Sequence, residues 1–262
     1  MHTSSPEADS YTAIHNAQIR MLPLSGITER HGVEGLYRRF SLEVNELTLE
    51  EQYFCNRALF VAATLHSADM YKGLPYTSHL LRTAIRLKRD YDITDPEVLS
   101  ALLLHDSVED HASDLIEVAS FLLPPSEQEQ SVTEQAFTAL SVIFSPRVAT
   151  LVRNVTNTPH PQPMTQTEKN VAYAQGVAAK IALSPDTFLM KLSDFTDNAV
   201  GIYWSEQTRK VQKLARKYGP VFDVFLAQLV QYEHGGMLTP QQIAVANRQL
   251  QLGKERCGLL AA

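Results

Sequence analysis

An apolar run, Ala101-Leu102-Leu103-Leu104, ends in His105-Asp106, and Glu109-Asp110 follow one helical turn later. The run is preceded by Thr94-Asp95-Pro96, a capping residue followed by proline, which is the signal for a helix start. On one continuous helix, His105, Asp106, Glu109 and Asp110 lie within an arc of about 140°. Three carboxylates and an imidazole so crowded repel one another unless a cation sits among them. The sharp expectation is a metal site with carboxylates to spare for proton transfer. The alternative is a solvated acidic helix end, since a His-Asp pair is common by chance.

Two further residues suit such a site if helices carry them inward. His79 falls on a predicted helix from Tyr76 to Tyr91, whose Leu80, Ala84 and Leu87 form an apolar stripe. Asp194 falls on a helix opened by Ser184-Pro185, given core by Leu189, Met190 and Leu192 and stopped by Gly201. Asp194 and Asn198 are four apart and share a face.

A His, then His-Asp, then a distant Asp on three helices resembles the ligand set of the HD phosphohydrolase superfamily. More narrowly, Gly73-Leu74-Pro75-Tyr76-Thr77-Ser78-His79, Leu103-Leu104-His105-Asp106-Ser107-Val108-Glu109-Asp110 and Lys191-Leu192-Ser193-Asp194-Phe195-Thr196-Asp197-Asn198 look like the hydrolase domain of the RelA/SpoT alarmone enzymes. Leu151-Val152-Arg153-Asn154-Val155-Thr156 resembles that family's L-V-x-x-V-T segment. The likeness runs from about residue 50 to about 205 and includes no synthetase domain, which points to the small alarmone hydrolases. It implies an all-α HD-domain helical bundle over 48–205, with an N-terminal extension over 1–47 and a C-terminal helical extension over 206–262 packed on the core. It also implies His79, His105, Asp106 and Asp194 as metal ligands, Glu109 and Asp110 as the catalytic pair, and Asn198 at the nucleoside sugar. Such a nitrogen and oxygen set suits Mn²⁺ or Fe²⁺ and accepts Zn²⁺; the resemblance points to Mn²⁺. The implied reaction is metal-dependent removal of the 3′-pyrophosphate from (p)ppGpp or (p)ppApp.

The chain departs from the family where the base is held. The Arg-Lys pair that packs on guanine is here Met70-Tyr71, with Lys72 beside Gly73, and the Arg-Leu-His before the asparagine is Phe195-Thr196-Asp197. Met70, Tyr71 and Lys72 are therefore the expected substrate contacts, with Met70 and Tyr71 sandwiching a purine by dispersion and stacking. Two other readings compete: an HD phosphohydrolase of another nucleotide or phosphorylated metabolite, and a binding module that holds an alarmone without cleaving it.

Composition sets the remaining bounds. Of 262 residues, 44% are apolar, enough for a sizeable core, and the net charge of −6 argues against general nucleic-acid binding. Cys55 and Cys257, the two cysteines, have no metal-finger spacing and suggest reduced thiols in a cytoplasmic protein. No run approaches a membrane span, and the polar start of the chain lacks an apolar signal core. The expected partner is a small-molecule nucleotide, with no nucleic acid and no membrane; a homo-oligomer is allowed.

Along the chain, residues 1–10 are expected to be disordered. Helices are expected over Tyr11–Met21 and Val33–Val44, with Leu22–Gly26 a loop, and from the capping box Thr48-Leu49-Glu50-Glu51 to about Ser67. His66 then ends a helix; the alternative is a site residue. Helices over Val132–Phe144, Pro146–Val155 and Glu168–Leu183 follow, with a proline-rich loop over Asn157–Thr167 that includes His160. A basic helix, Ser205–Tyr218, carries Arg209, Lys210, Lys213, Arg216 and Lys217 and is expected to end at Gly219-Pro220. Its cations read as a solvated face or as a phosphate-attracting rim. Val221–Tyr232 and Pro240–Leu252 complete the set.

Overall fold

The structure, a computed structural model, describes residues 6–123, 130–157, 164–200 and 209–261. His160, the Gly201 stop and the Ser205 start lie outside the described residues, as do residues 1–5 and 124–129. The described chain is all-α apart from one two-stranded hairpin. The helices are α1 (Pro6–Met21), α2 (Leu24–Val44), α3 (Leu49–Leu65), α4 (Thr77–Tyr91), α5 (Pro96–Leu103), α6 (Ser107–Ala119), α7 (Val132–Ile143), α8 (Pro146–Val155), α9 (Gln166–Ile181), α10 (Pro185–Val200), α11 (Arg209–His234) and α12 (Pro240–Ala261). No helix among the described residues is long and apolar enough to cross a membrane.

Local signals explain most helix starts. Thr48 accepts from the Glu51 amide while Glu51 reaches back to Thr48, a full capping box for α3. Asp95 caps α5 by accepting from the Glu97 amide at 2.9 Å, with Pro96 in the first turn. The carbonyl of Tyr76, just ahead of α4, accepts from the His79 amide at 2.8 Å, so His79 enters the core in the first turn.

Several expectations differ, the first at the start of the chain, where α1 begins at Pro6, inside the stretch 1–10 expected to be disordered. The expected Leu22–Gly26 loop shrinks, because α2 begins at Leu24 and runs on through a non-helical Gly32 at φ 60°, a conformation that glycine adopts freely. The basic helix does not stop at Gly219-Pro220: α11 continues through Pro220 to His234. Proline loses one backbone hydrogen bond there, but Val221, Phe222 and Phe225 beyond it are fully buried, and that packing holds the helix together. Most important, the helix opened at Asp95 ends at Leu103 and α6 begins only at Ser107. His105 and Asp106 therefore stand in a turn, not on the face of a continuous helix. The His105 ring takes the Leu102 carbonyl at 2.8 Å, which competes with the backbone bond that would have carried the helix onward.

The helices build one core. α4 packs against α2, α5, α10 and α12, and α5 also packs against α3 and α8. α10 is seated by aromatic contacts: Phe195 lies 4.7 Å from Phe222 and 5.0 Å from Phe225, and Phe188 lies 5.4 Å from Tyr232, all on α11. α4, the α5–α6 turn and α10 thus meet at fixed positions, and these carry His79, His105-Asp106 and Asp194.

Candidate metal centre

His79, His105 and Asp194 are buried and present ligand atoms within 4.8 Å of one another. Both histidines aim Nε2 at Asp194 Oδ1, His79 from 3.4 Å and His105 from 3.6 Å. Two donors bound to one transition-metal ion stand about 3 to 3.5 Å apart. Asp106 borders this group, its Oδ2 2.9 Å from His105 Nε2. That approach is not aligned as a hydrogen bond, and His105 Nε2 is buried with no hydrogen-bond partner among the described residues.

The other ring nitrogens fix the tautomers. His105 Nδ1 faces the Leu102 carbonyl at 2.8 Å, and His79 Nδ1 faces Asp197 Oδ2 at 2.9 Å. Carbonyl and carboxylate oxygens only accept, so each Nδ1 carries its proton and a neutral ring presents an Nε2 lone pair to the carboxylates. Lone pairs facing carboxylates call for a cation between them, and the donor set of imidazoles and carboxylates fits a divalent transition metal. Without one, protons take its part. Burial lowers the His105 pKa, but Asp106 and Asp194 outweigh it and carry it well above 6.5. His79 is raised in the same way by Asp194 and Asp197. Burial raises both aspartates, yet Lys191 and the histidines hold Asp194 well below its usual range, and His105 holds Asp106 at about 2.

Surrounding residues position these groups. The Tyr76 hydroxyl donates to Asp106 Oδ2 at 2.5 Å. Lys191 donates to Asp194 Oδ2 at 3.2 Å and to the Val155 carbonyl at 3.3 Å. Asn198 donates to Asp194 Oδ1 at 2.6 Å and accepts from the Tyr71 hydroxyl at 2.8 Å. Asp197 grips Arg82 through two bonds of 2.8 Å, with Arg86 3.3 Å away. In the sequence Asp197 stands out only as a departure from the family's motif. Its signal was present, since it stands one turn beyond Asp194, on the side facing α4.

The remaining expected site residues fall in different places. Glu109 and Asp110 are exposed on the first turn of α6. Glu109 accepts from the Asn157 amide at 2.9 Å and from its side chain at 3.2 Å, so the start of the proline-rich loop docks on it. Burial, then Asp106 and Glu109, raises the Asp110 pKa. Met70 and Tyr71 form β1, paired antiparallel with β2 (Leu74–Pro75) across Lys72-Gly73. Met70 is exposed. Tyr71 instead tilts against His79 with centroids 4.8 Å apart, and Lys72 Nζ covers its ring at 4.7 Å. Lys72 also reaches the Asp197 carbonyl at 3.3 Å. Tyr71 thus packs on His79 and bonds Asn198, while Met70 stays exposed. On the basic helix, Arg209, Lys213 and Arg216 are exposed, whereas Lys217 lies over Tyr173 at 4.3 Å and Tyr218 at 5.1 Å. Burial lowers the Lys217 pKa, while the charge of Asp194 pulls it back up.

No family model matches the chain. It is 32% identical over 99 residues to a Danio rerio protein, guanosine-3′,5′-bis(diphosphate) 3′-pyrophosphohydrolase MESH1. The matched stretch is 37% of this chain and 43% of that relative, so the chain spans less than half the length of the protein it matches. At that level the chain is similar to a ppGpp hydrolase, and the likeness, with the buried His-His-Asp group, points to a hydrolase that binds a metal.

Proposed function

We propose that the chain is a metal-dependent hydrolase that removes the 3′-pyrophosphate from (p)ppGpp, (p)ppApp or both. The observation that carries this reading is the pair of His79 and His105 Nε2 atoms aimed at Asp194 Oδ1 with both Nδ1 protons already committed. His79, His105, Asp106 and Asp194 would hold Mn²⁺, with Fe²⁺ or Zn²⁺ as substitutes. When bound, such an ion polarises a phosphoryl oxygen and lowers the pKa of water.

The chain's own groups supply the remaining chemistry. Asp110, exposed and raised in pKa, takes the proton of the attacking water. Glu109, fixed by Asn157, orients that water or protonates the leaving oxygen. Lys217 of the basic helix, which feels the charges of Asp194 and Glu109, is a suitable partner for substrate phosphates. Lys72 and Met70 lie at the nucleoside end, and Asn198 faces the sugar while steadying Asp194.

One observation favours a second reading, an HD phosphohydrolase with another nucleotide or phosphorylated substrate. Tyr71 is packed between His79 and Lys72, leaving little of the expected purine platform. One incubation decides between them. The Mn²⁺-supplemented protein is mixed with ppGpp, ppApp and simple nucleotides, and released pyrophosphate is measured against phosphate. Pyrophosphate from an alarmone supports the proposal, phosphate from another nucleotide supports the second reading, and binding without turnover marks a non-catalytic module.

A further inference from the structure

Beside the first group stands a second one, which the proposed reaction does not use. His66 ends α3, buried to 1% exposure. Its Nδ1 lies 2.8 Å from Asp69 Oδ2. His111 brings Nε2 to within 2.6 Å of the same oxygen. The ligand atoms of His66, Asp69 and His111 fall within 4.8 Å of one another. We infer that His66, Asp69 and His111 form a second divalent-cation site, of the transition-metal type, next to the first.

Four observations support the assignment. His111 interrupts the helical backbone of α6, with φ −134° and ψ 35°, and this break accompanies a ring turned toward the α3 end. His111 Nδ1 meets Asp114 Oδ2 at 3.0 Å. A metal-binding histidine usually donates its second ring N–H to a carboxylate in this manner, and His79 shows the same build with Asp197. With carboxylate oxygens at both nitrogens, His111 needs either a second proton or a cation. His66 is held rigidly: it stacks on Tyr76 at 4.5 Å and 16°, and its Nε2 is buried with no hydrogen-bond partner among the described residues. Finally, Asp69 is half-exposed, which leaves one side of the group open to water or a ligand.

Two imidazoles and one carboxylate favour Zn²⁺, Co²⁺ or Mn²⁺ over Mg²⁺ or Ca²⁺. The position gives the site a use. Tyr76 stacks on His66 and donates to Asp106, so one ring touches both groups. Asp110 feels the charge of Asp106 together with that of His111 and Asp69. A cation here would add its charge to the surroundings of Tyr76, which touches both groups.

The test is metal stoichiometry, which requires no turnover and so stands apart from the proposed reaction. The full chain is stripped with chelator, dialysed against Co²⁺ and analysed for bound metal and for visible absorption, with circular dichroism as the check on folding. The wild type is expected to hold about two equivalents. Asp69→Asn and His111→Gln, both at partly exposed residues, should each lose one equivalent and keep the other. Asp194→Asn should retain the equivalent that those two variants lose. If Asp69→Asn and His111→Gln bind as much Co²⁺ as the wild type, the group is a proton-sharing triad around Asp69 and the inference is wrong.

Discussion

Asp197 shows how one residue can govern a site without entering it. Its carboxylate sits between His79 Nδ1 and the Arg82 guanidinium, and it is nearly fully buried. Replacing it by Asn leaves Arg82 without its ion pair and weakens the hold on the His79 tautomer. Loss of one partner of a buried pair costs about 3 to 5 kcal/mol, and loss of a carboxylate behind a metal-binding histidine costs about 10 to 100-fold in metal affinity. Urea unfolding and a Mn²⁺ titration of Asp197→Asn should show both effects; unchanged affinity would free His79 of this dependence. Glu109→Gln makes a different prediction. It keeps the shape that Asn157 grips and removes the acid–base function, so metal binding should persist while turnover falls by about 10² to 10⁴-fold. A near-normal rate would assign the proton transfer to Asp110 alone. At this scale the sequence was informative about residue types: His79, His105 and Asp194 do converge. It said little about support, because the hydrogen bond between Tyr71 and Asn198 joins residues 127 positions apart.

At the scale of elements, the site depends on how α10 is clamped. Phe195, next to Asp194, packs on Phe222 of α11, and α12 approaches so closely that a Cβ at Gly253 would come 2.4 Å from the Phe222 ring. Gly253→Ala must displace that ring, at a cost of about 1 to 3 kcal/mol for overpacking. Chemical denaturation should register the loss, and Mn²⁺ affinity should fall with it if α10 shifts. A variant as stable as the wild type would mean that α12 moves away freely. Helix starts were legible because Thr48, Asp95 and Ser145 cap through bonds to nearby amides. Helix continuity was not. The break at His105 comes from a side chain taking a backbone carbonyl, and the run of α11 through Pro220 comes from distant aromatic packing; neither is a local signal.

At the scale of the whole molecule, stability, pH and metal are linked. The His79 and His105 pKa values are raised in the fold, His105 well above 6.5. A raised pKa gives the metal-free protein stability that is fully present below the unfolded value and is lost as pH rises through the folded value. A cation needs the neutral rings, so its stabilisation must grow across the same window. Melting with and without Mn²⁺ should differ little near pH 6 and clearly near pH 8, by about 2.7 kcal/mol once free Mn²⁺ reaches about 100 times Kd. A larger shift at the acid end would reverse the assignment of these protons. The all-α architecture was legible from spacing and caps, and a C-terminal extension packed on the core was expected; the individual contacts, such as Tyr91 with Gln249 at 2.7 Å, were not legible, because they join residues far apart in the chain.

The cation is expected to stand between α4, the α5–α6 turn and α10, and every role given to the surrounding residues follows from that position. Anomalous scattering from a crystal of the full chain grown with Mn²⁺ locates it directly. The expected peak lies about 2.0 to 2.3 Å from His79 Nε2, His105 Nε2 and an Asp194 oxygen, with Asp106 turned to join them. A well-diffracting crystal with no Mn²⁺ among these three residues would contradict the account, whatever else the protein were found to bind.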